Sequence, residues 1–291
     1  MPGGRQVAVR ALGAALCQHP RMTRTKVSVV QMTSVPDVEA NLAATERLTR
    51  EAASEGSKLA VIPECFAYLG PEDGKLKIAE ALPEGGPILA RCAALARELS
   101  IELVLGGFWE KGSDAQHAKN ACVHVDASGA VRSVYRKIHL FDVDLPDGTK
   151  LLESGSVEPG TEVITADTVL GKLGLSVCYD VRFPELYRKL VDQGAIALAI
   201  PAAFTLTTGK DHWHVLLRAR AIESQCYVLA AAQTGLHFGS RRSYGHALIC
   251  DPWGTVLAEC GEGEGVASAW IDTAVVERIR AGLPSLAHRR L

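Results

Sequence analysis

The chain has 291 residues, 47% of them hydrophobic and 22% charged, and its formal net charge is −2. A chain of this length and composition is typical of a globular protein that buries a sizeable core. The near-neutral charge gives no argument for binding to nucleic acid or a membrane surface, and no apolar run reaches the ~18 residues of a membrane-spanning helix.

The first 25 residues differ from the rest of the chain. They contain Arg5, Arg10, Arg21 and Arg24, and no acidic residue occurs before Asp37. Two interpretations are open: an organellar transit peptide, or an N-terminal extension with an internal methionine as an alternative start. No Pro-, Gly- or Ser-rich linker interrupts residues 26–291, which are therefore predicted to form one domain.

Strands and helices alternate along the rest of the chain. The first half is predicted to contain strands at Val27–Gln31, Leu59–Ile62, Ile101–Phe108, Ala121–Val125 and Val131–Tyr135, and helices at Val38–Glu55 and Ile88–Leu99. After a polar loop over Asp142–Gly160, strands are predicted at Lys172–Val177 and Ile196–Ile200, with helices at Pro184–Gln193 and about Asp211–Ser224. Three closing strands are predicted at Tyr227–Ala232, Ala247–Cys250 and Thr255–Glu259. This alternation indicates an α/β layered domain.

The segment around Cys178 is the most informative in the chain. An apolar run ends at this cysteine, and Pro184 and Glu185 open a helical segment after a short polar turn. A thiol at such a corner lies near unpaired backbone N–H groups, which can hold a developing oxyanion. The same position also suits a buried core cysteine, the commonest environment of a free thiol. On this segment alone both interpretations are open.

Two other apolar strands end at an ionisable residue. Leu59–Ile62 runs into Pro63-Glu64, and a strand-like run that begins at Val134 ends at Lys137. Taken singly, such residues are more often solvated ends or ion-pair partners. The chain order Glu64, Lys137, Cys178, each at a strand end, resembles the nitrilase (carbon–nitrogen hydrolase) superfamily, and the resemblance extends from about residue 26 to the C-terminus.

The resemblance implies a four-layer α-β-β-α sandwich, in which two mixed sheets pack face to face with helices outside. It also implies that Cys178 is the nucleophile, Glu64 the general base and Lys137 a donor to the oxyanion. A thiol needs such activation, because free Cys has a pKa near ~8.5 and only the thiolate attacks. The backbone N–H of Tyr179 is expected to be a second oxyanion donor.

Further residues are candidates for the same site. Glu153 stands where the superfamily has a second glutamate, which implies that it orients Lys137 or holds the amide nitrogen. Arg182 can grip a substrate carboxylate bidentately or pair with Glu185; we expect substrate contact for Arg182 and a structural role for Glu185. Aromatic and polar residues from Phe204 to Thr208, with Phe204 and Thr205 foremost, are expected to line the pocket.

A Cys–His mechanism is the rival, with His139 as the natural base. Papain-like proteins place the cysteine near the mature N-terminus on a long helix, and the surroundings of Cys178 do not match that pattern. We therefore expect a modest role for His139. Arg218, Arg220 and Glu223 lie at helical spacings suited to ion pairing and are expected to be structural.

Several segments resemble one branch of the superfamily, whose members hydrolyse deaminated glutathione to 2-oxoglutarate and cysteinylglycine. These segments are Gln31–Ser34, Leu105–Phe108, His139–Asp144, Ala219–Val228, Ser243–Gly245, Asp251–Gly254, Leu283-Pro284 and His288–Arg290. The alternatives are an ω-amidase that acts on 2-oxoglutaramate, and a non-catalytic regulatory interaction protein. The intact Glu64, Lys137 and Cys178 argue against the last.

No cofactor or metal is expected. His212-Trp-His214 is a weak metal-ligand pattern that no Cys or carboxylate cluster in the sequence supports. The eight cysteines are scattered, which indicates reduced intracellular thiols. We expect the protein in the cytoplasm, or in the mitochondrion or plastid if the N-terminus is a transit peptide. The expected partners are a small-molecule amide and further copies of the chain in a homodimer or larger homo-oligomer.

Overall fold

The computed structural model describes residues 24–144 and 150–290. Its strands are β1 (Arg24–Met32), β2 (Leu59–Ile62), β3 (Glu102–Lys111), β4 (Ala118–Val125), β5 (Val131–Arg136), β6 (Asp142–Asp144), β7 (Lys150–Leu152), β8 (Thr165–Thr168), β9 (Gly171–Leu175), β10 (Ala197–Ala199), β11 (Tyr227–Ala230), β12 (Ala232–Phe238), β13 (Arg241–Tyr244), β14 (Leu248–Cys250), β15 (Val256–Glu259) and β16 (Gly265–Asp272). Its α-helices are α1 (Val38–Ser54), α2 (Glu72–Ile78), α3 (Pro87–Leu99), α4 (Pro184–Asp192), α5 (Leu206–Ser224) and α6 (Thr273–Gly282).

The strands form two mixed sheets. Within the described residues, the larger sheet has the order β13-β12-β1-β2-β3-β4-β5, with β16 also paired to β1, and the smaller has the order β15-β14-β11-β10-β9-β8. Strands β6 and β7 make a separate antiparallel pair. Parallel pairing of β1, β2 and β3, and of β9, β10 and β11, puts the carboxyl ends of these strands at one edge of each sheet.

Alternation along β1 shows how the layers are made. Val27 and Val29 belong to the buried cluster that joins the two sheets, whereas Val30 and Met32 belong to the cluster beneath α1 and α3. Successive strand residues point to opposite faces, so one strand serves both layers. Helices α4 and α5 pack on the outer face of the smaller sheet. The architecture is the predicted α-β-β-α sandwich.

The closing region differs most from the prediction. The strand predicted over Tyr227–Ala232 is interrupted at Ala231, because β11 belongs to the smaller sheet and β12 pairs with β1 in the larger sheet. An apolar run carries no sign of such an exchange between sheets. Strand β16, which was not predicted, pairs with β1 over its whole length. Its many small residues give it no clear apolar pattern in the sequence.

Other elements were also missed or misplaced. Helices α2 and α6 and strands β8 and β13 were not predicted, and the polar loop contains the β6–β7 pair. Helix α5 begins at Leu206, five residues before the predicted start near Asp211, so that Thr208 lies in its first turn. Residues 1–23, where most of the N-terminal extension falls, lie outside the described residues. In the described part of the chain no helix is both long enough and apolar enough to span a membrane.

Candidate active site

Three strand ends bring Glu64, Lys137 and Cys178 together. Glu64 follows β2, Lys137 follows β5, and Cys178 comes three residues after β9. The first two strands belong to the larger sheet and the third to the smaller sheet. The site therefore forms where the edges of the two sheets meet, and all three side chains are buried.

The backbone at Cys178 is sharply bent. Its φ is +47°, in the left-handed region that non-glycine residues rarely adopt, and it opens a 3-10 helix over Cys178–Arg182. The Cys178 N–H donates to the Pro201 carbonyl at 2.9 Å, which ties the bend to the end of β10. Such conformations cluster at functional sites because the surrounding structure must hold them in place. Here the bend places the thiol beside Glu64.

Glu64 is fully engaged in hydrogen bonds. Its Oε1 accepts from Lys137 Nζ and from Asn120 Nδ2, both at 3.0 Å, and its Oε2 accepts from the Ala203 N–H at 2.8 Å. The Cys178 side chain lines the same pocket wall, and burial and the charge of Glu64 raise the pKa of its thiol. Glu64 is thus oriented by three donors in the same buried site as the thiol, as a general base must be.

Glu153 holds Lys137 from the other side. Its two oxygens accept from Lys137 Nζ at 3.0 and 2.9 Å, its Oε1 accepts from Asn120 Nδ2 at 3.1 Å, and its Oε2 accepts from the Phe141 N–H at 2.7 Å. The buried ammonium therefore lies between two carboxylates. Glu153 contacts the lysine and not the thiol, which suits the predicted orienting role.

The protonation of these groups follows from their mutual contacts. Burial would raise the pKa of Glu64, but Lys137 and the donated hydrogen bonds outweigh it and hold that pKa below the ordinary value of 4.5. Burial would lower the pKa of Lys137, but Glu153 and Glu64 raise it well above 10.5. Burial and the charge of Glu64 raise the pKa of Cys178 well above 9.0. The resting site thus contains a neutral thiol beside an ionised base.

A close backbone contact fixes the position of Glu64. Gly107 has a φ of +60°, and a Cβ atom there would lie 2.3 Å from the Cys65 nitrogen and 2.6 Å from Glu64 Cγ. Any side chain at this position would displace the turn that carries the base. The Gly-Gly pair of β3 is therefore part of the support of the site.

His139 is directed toward another residue. Its Nδ1 lies 2.7 Å from Asp180 Oδ1, and its ring stacks on Phe183 with centroids 3.7 Å apart. Asp180 is buried and also accepts from Tyr135 Oη at 2.7 Å and from the Val177 N–H at 2.9 Å. These contacts brace the corner around the nucleophile and give no support to His139 as its base.

The thiol opens into a cavity of about 330 Å³, a volume within the range of small-molecule sites. Besides the four predicted catalytic residues, its lining includes side chains that the sequence analysis missed: Glu72, Lys75, Trp109, Asn120 and Arg241. A more open hollow of about 370 Å³ around Glu80 and Lys111 contains none of the catalytic residues. The smaller cavity is therefore the candidate substrate pocket.

The predicted substrate contacts lie around an adjoining crevice. Tyr179, Arg182, Phe204 and Thr205 line it, and its volume is only about 10 Å³. It shares Cys178, Phe141 and Ala203 with the substrate pocket, so the two cavities meet at the nucleophile.

The Arg182 guanidinium lies 5.1 Å from the Phe204 ring centroid, and its Nη1 lies 3.3 Å from His212 Nδ1. Within residues 24–144 and 150–290, Arg182 has no ion pair with Glu185. The structure therefore does not support the alternative in which Arg182 pairs with Glu185. Arg220 does pair with Glu223, at 2.6 Å, and also donates to the Val181 carbonyl, as a structural residue would.

One group of potential metal ligands occurs elsewhere in the described part of the chain. His214 Nε2 and His246 Nδ1 lie 2.9 and 2.7 Å from the same oxygen of Glu259. These residues do not line the substrate pocket. The cluster therefore gives the reaction at Cys178 no metal ligand.

Residues 26–281 match the sequence profile described as "Carbon-nitrogen hydrolase". The chain belongs to this family. The human protein named "Deaminated glutathione amidase" is 45% identical over 285 residues, covering 96% of this chain and 85% of the human protein. The protein of the same name from Synechocystis sp. (strain PCC 6803 / GT-S) is 45% identical over 266 residues, covering 90% of this chain and 97% of its own.

A solved structure confirms the fold of the family. The Saccharomyces cerevisiae protein Nit3, described as a member of branch 10 of the nitrilase superfamily, superimposes with a TM-score of 0.82 at 33% identity. The match covers 92% of this chain and 97% of Nit3. As a carbon–nitrogen hydrolase, the protein is an enzyme that acts on amide C–N bonds.

Proposed function

We propose that this enzyme hydrolyses deaminated glutathione to 2-oxoglutarate and cysteinylglycine through a covalent intermediate on Cys178. The observation that carries the proposal is the meeting of the Cys178 thiol, the Glu64 carboxylate and the Lys137 ammonium at the wall of the substrate pocket, with Lys137 Nζ 3.0 Å from Glu64 Oε1. The names of the human and Synechocystis relatives support the substrate.

Acylation is the first stage. Glu64 takes the thiol proton while Cys178 Sγ bonds to the amide carbon, and the electron pair of the C=O bond moves to oxygen. Lys137 and the N–H of Tyr179 stabilise this oxyanion; one such donor is typically worth ~3–4 kcal/mol of barrier. Tyr179 is the second residue of its 3-10 helix, where an N–H has no intrahelical acceptor. The C–N bond then breaks, and Glu64 gives its proton to the departing amine.

Deacylation reverses these roles. Glu64 removes a proton from water, the water oxygen bonds to the thioester carbon, and the C–S bond breaks to release 2-oxoglutarate. The thiol recovers its proton from Glu64, so the enzyme ends as it began. Glu153 acts through Lys137, which it holds in place.

Recognition of the oxo acid requires a cation near the acyl half. We assign this role to Arg182, which borders the crevice that meets the pocket at Cys178. The planar fork of arginine suits a carboxylate. Phe204 and Thr205 line the same crevice and would contact the acyl chain.

The test is a comparison of kcat/KM for deaminated glutathione, glutathione and 2-oxoglutaramate under one set of conditions. Highest efficiency on deaminated glutathione supports the proposal. Glutathione should be poor, because its ammonium replaces the neutral ketone and would be left unpaired. A clear preference for 2-oxoglutaramate would identify an ω-amidase instead, and a Cys178→Ala protein that kept every biological effect would indicate a non-catalytic role.

We also propose that the enzyme works as a homodimer or larger homo-oligomer. Val215 and Ile222 of α5 and the nearby Trp253 have 67%, 49% and 62% of their surfaces exposed in the single chain. Exposed apolar side chains in a group favour association. Light scattering after size exclusion should give at least twice the chain mass, and Val215→Glu should reduce it.

We propose a reducing cellular compartment, which fits the cytoplasm and, with a transit peptide, the mitochondrion or plastid. The seven described cysteines are all free and buried. Fluorescent fusions with and without residues 1–25 would separate these locations.

A further inference from the structure

Among the described residues, three cations besides the catalytic lysine line the substrate pocket, namely Lys75, Lys150 and Arg241. Lys75, on α2, is buried, with its ammonium 5.1 Å from the centroid of the Trp109 ring and paired with Glu72. Arg241, the first residue of β13, lines the same cavity. The pocket therefore has a cationic end made by residues from two elements that are distant in sequence.

Arg241 differs from the other cations of the pocket in having no matched carboxylate. Lys137 lies between Glu64 and Glu153, Lys75 pairs with Glu72, and Lys150 pairs with Asp144. Within the described residues, no carboxylate oxygen lies within 4 Å of the Arg241 guanidinium. Its Nε is buried and has no hydrogen-bond partner there, whereas buried donors in proteins are nearly always paired. A guanidinium at the pocket wall without a carboxylate partner points to an anionic group on the ligand.

The charge at the other end of the pocket supports the same conclusion. Glu64 and Glu153 carry two negative charges against the single positive charge of Lys137. An anionic substrate that approaches Cys178 is therefore repelled unless a cation elsewhere in the pocket offsets this excess. Arg241 supplies that charge, and its fork can bind a carboxylate through two parallel hydrogen bonds.

The proposed substrate has a carboxylate at each end, one on the oxo-acyl half and one on the terminal glycine of the leaving group. Arg182, on one side of Cys178, is assigned to the acyl carboxylate, and the pocket of about 330 Å³ at Arg241 has room for a dipeptide. We infer that Arg241, assisted by Lys75, binds the glycine carboxylate of the cysteinylglycine leaving group. This inference rests on the proposed function and adds to it the subsite that recognises the leaving group.

The test uses Arg241→Met and Lys75→Met, with matched controls at exposed neighbours of the same type. Arg242→Met changes the next residue of β13, whose side chain points to the opposite face, and Lys77→Met changes an exposed lysine of α2. The substrates are deaminated glutathione, its glycine amide, which lacks the terminal charge, and 2-oxoglutaramate, whose leaving group is ammonia.

Arg241→Met should raise the KM for deaminated glutathione roughly 10- to 100-fold, the range for loss of a charge-assisted hydrogen bond. Lys75→Met should act in the same direction, and kcat should change little in both. The efficiency on 2-oxoglutaramate should be unchanged, which also shows that the variants are folded. The glycine amide should be poor for the wild type and no poorer for Arg241→Met. Both control variants should match the wild type on all substrates.

Each of the following results would overturn the inference. If Arg241→Met lost equal efficiency on deaminated glutathione and on 2-oxoglutaramate, Arg241 would bind the acyl carboxylate. If it lost no efficiency on either substrate, Arg241 would bind no substrate carboxylate. A wild-type enzyme that hydrolyses 2-oxoglutaramate but not deaminated glutathione would refute the proposed function and this inference with it. Wild-type turnover of deaminated glutathione that Arg241→Met leaves intact would refute the inference alone.

Discussion

Glu64 and Glu153 approach the same two nitrogen donors. Lys137 Nζ and Asn120 Nδ2 each donate to Oε1 of both carboxylates, at distances of 3.0 to 3.1 Å. The two acids differ in their backbone donors, since Glu64 accepts from the Ala203 N–H and Glu153 from the Phe141 N–H. Burial and the charge of Glu64 raise the pKa of the Cys178 thiol. A shared pair of donors thus holds one acid at the nucleophile and the other behind the lysine.

This difference predicts unequal effects of two identical substitutions. Glu64→Gln removes the proton acceptor with little change of shape and should lower kcat by about 10²- to 10⁴-fold. Glu153→Gln leaves the base in place and removes part of the support of Lys137, so that a loss of ~10- to 100-fold is expected. Single-turnover kinetics on both variants checks the order; a larger loss at Glu153 would contradict it.

The covalent intermediate is open to direct observation. Enzyme quenched during turnover should show an acyl adduct on Cys178, and Cys178→Ala should abolish both the adduct and the turnover. Cys65 is the informative rival, because it lines the same pocket and because burial and the charge of Glu64 raise its pKa well above 9.0, as they do for Cys178. Mass spectrometry that located the acyl group on Cys65 would refute the assignment. Cys92→Ala, in buried α3, is the control for removal of a thiol.

The pH dependence separates the two candidate bases. Because Lys137 and its other donors hold the pKa of Glu64 below 4.5, the base stays ionised and kcat/KM should not fall between pH 7 and pH 5. A histidine base would instead give an acidic limb in the pH profile, because a histidine must lose its proton before it can accept another. The lowered pKa also stabilises the fold above pH 4.5, and this contribution is lost as the pH falls through the folded-state value. Rates measured from pH 5 to 9 decide between the two bases.

The close contact at Gly107 predicts a variant that loses activity without touching a catalytic side chain. Gly107→Ala must move the backbone of Glu64 and Cys65 and should lower both kcat and the melting temperature. Gly56→Ala is the matched control, since Gly56 has a φ of +89° and open space around its Cα. The Gly56→Ala control should lose only the stability that backbone strain costs, of order 1 kcal/mol. Equal losses of activity in both variants would show that the contact is unimportant.

The strand-end positions of Glu64, Lys137 and Cys178 could be predicted from the sequence, because an abrupt change from apolar to polar residues marks them, but their catalytic roles followed only from the family resemblance. Asn120 gave no such sign: it lies inside β4, and its partners Glu64 and Glu153 are 56 and 33 residues away. Lys75 and Arg241 escaped notice because their elements, α2 and β13, were not predicted. Contacts that form only when distant segments pack together have no local sequence pattern from which they could be predicted.

Catalysis in this enzyme depends on the alignment of two sheets whose strands, among the described residues, pair only within their own sheet, although isolated bridges tie the segment after β10 to β12 and β13. The base and the lysine belong to one sheet and the nucleophile to the other, and the Tyr135–Asp180 hydrogen bond is a direct link between those sheets beside the site. A slip of about 1 Å between the layers would separate thiol from carboxylate while each sheet kept its own ladder of hydrogen bonds. Turnover is therefore more sensitive to inter-sheet packing than the circular dichroism signal is. As the denaturant concentration rises, enzyme activity should be lost before the circular dichroism signal changes.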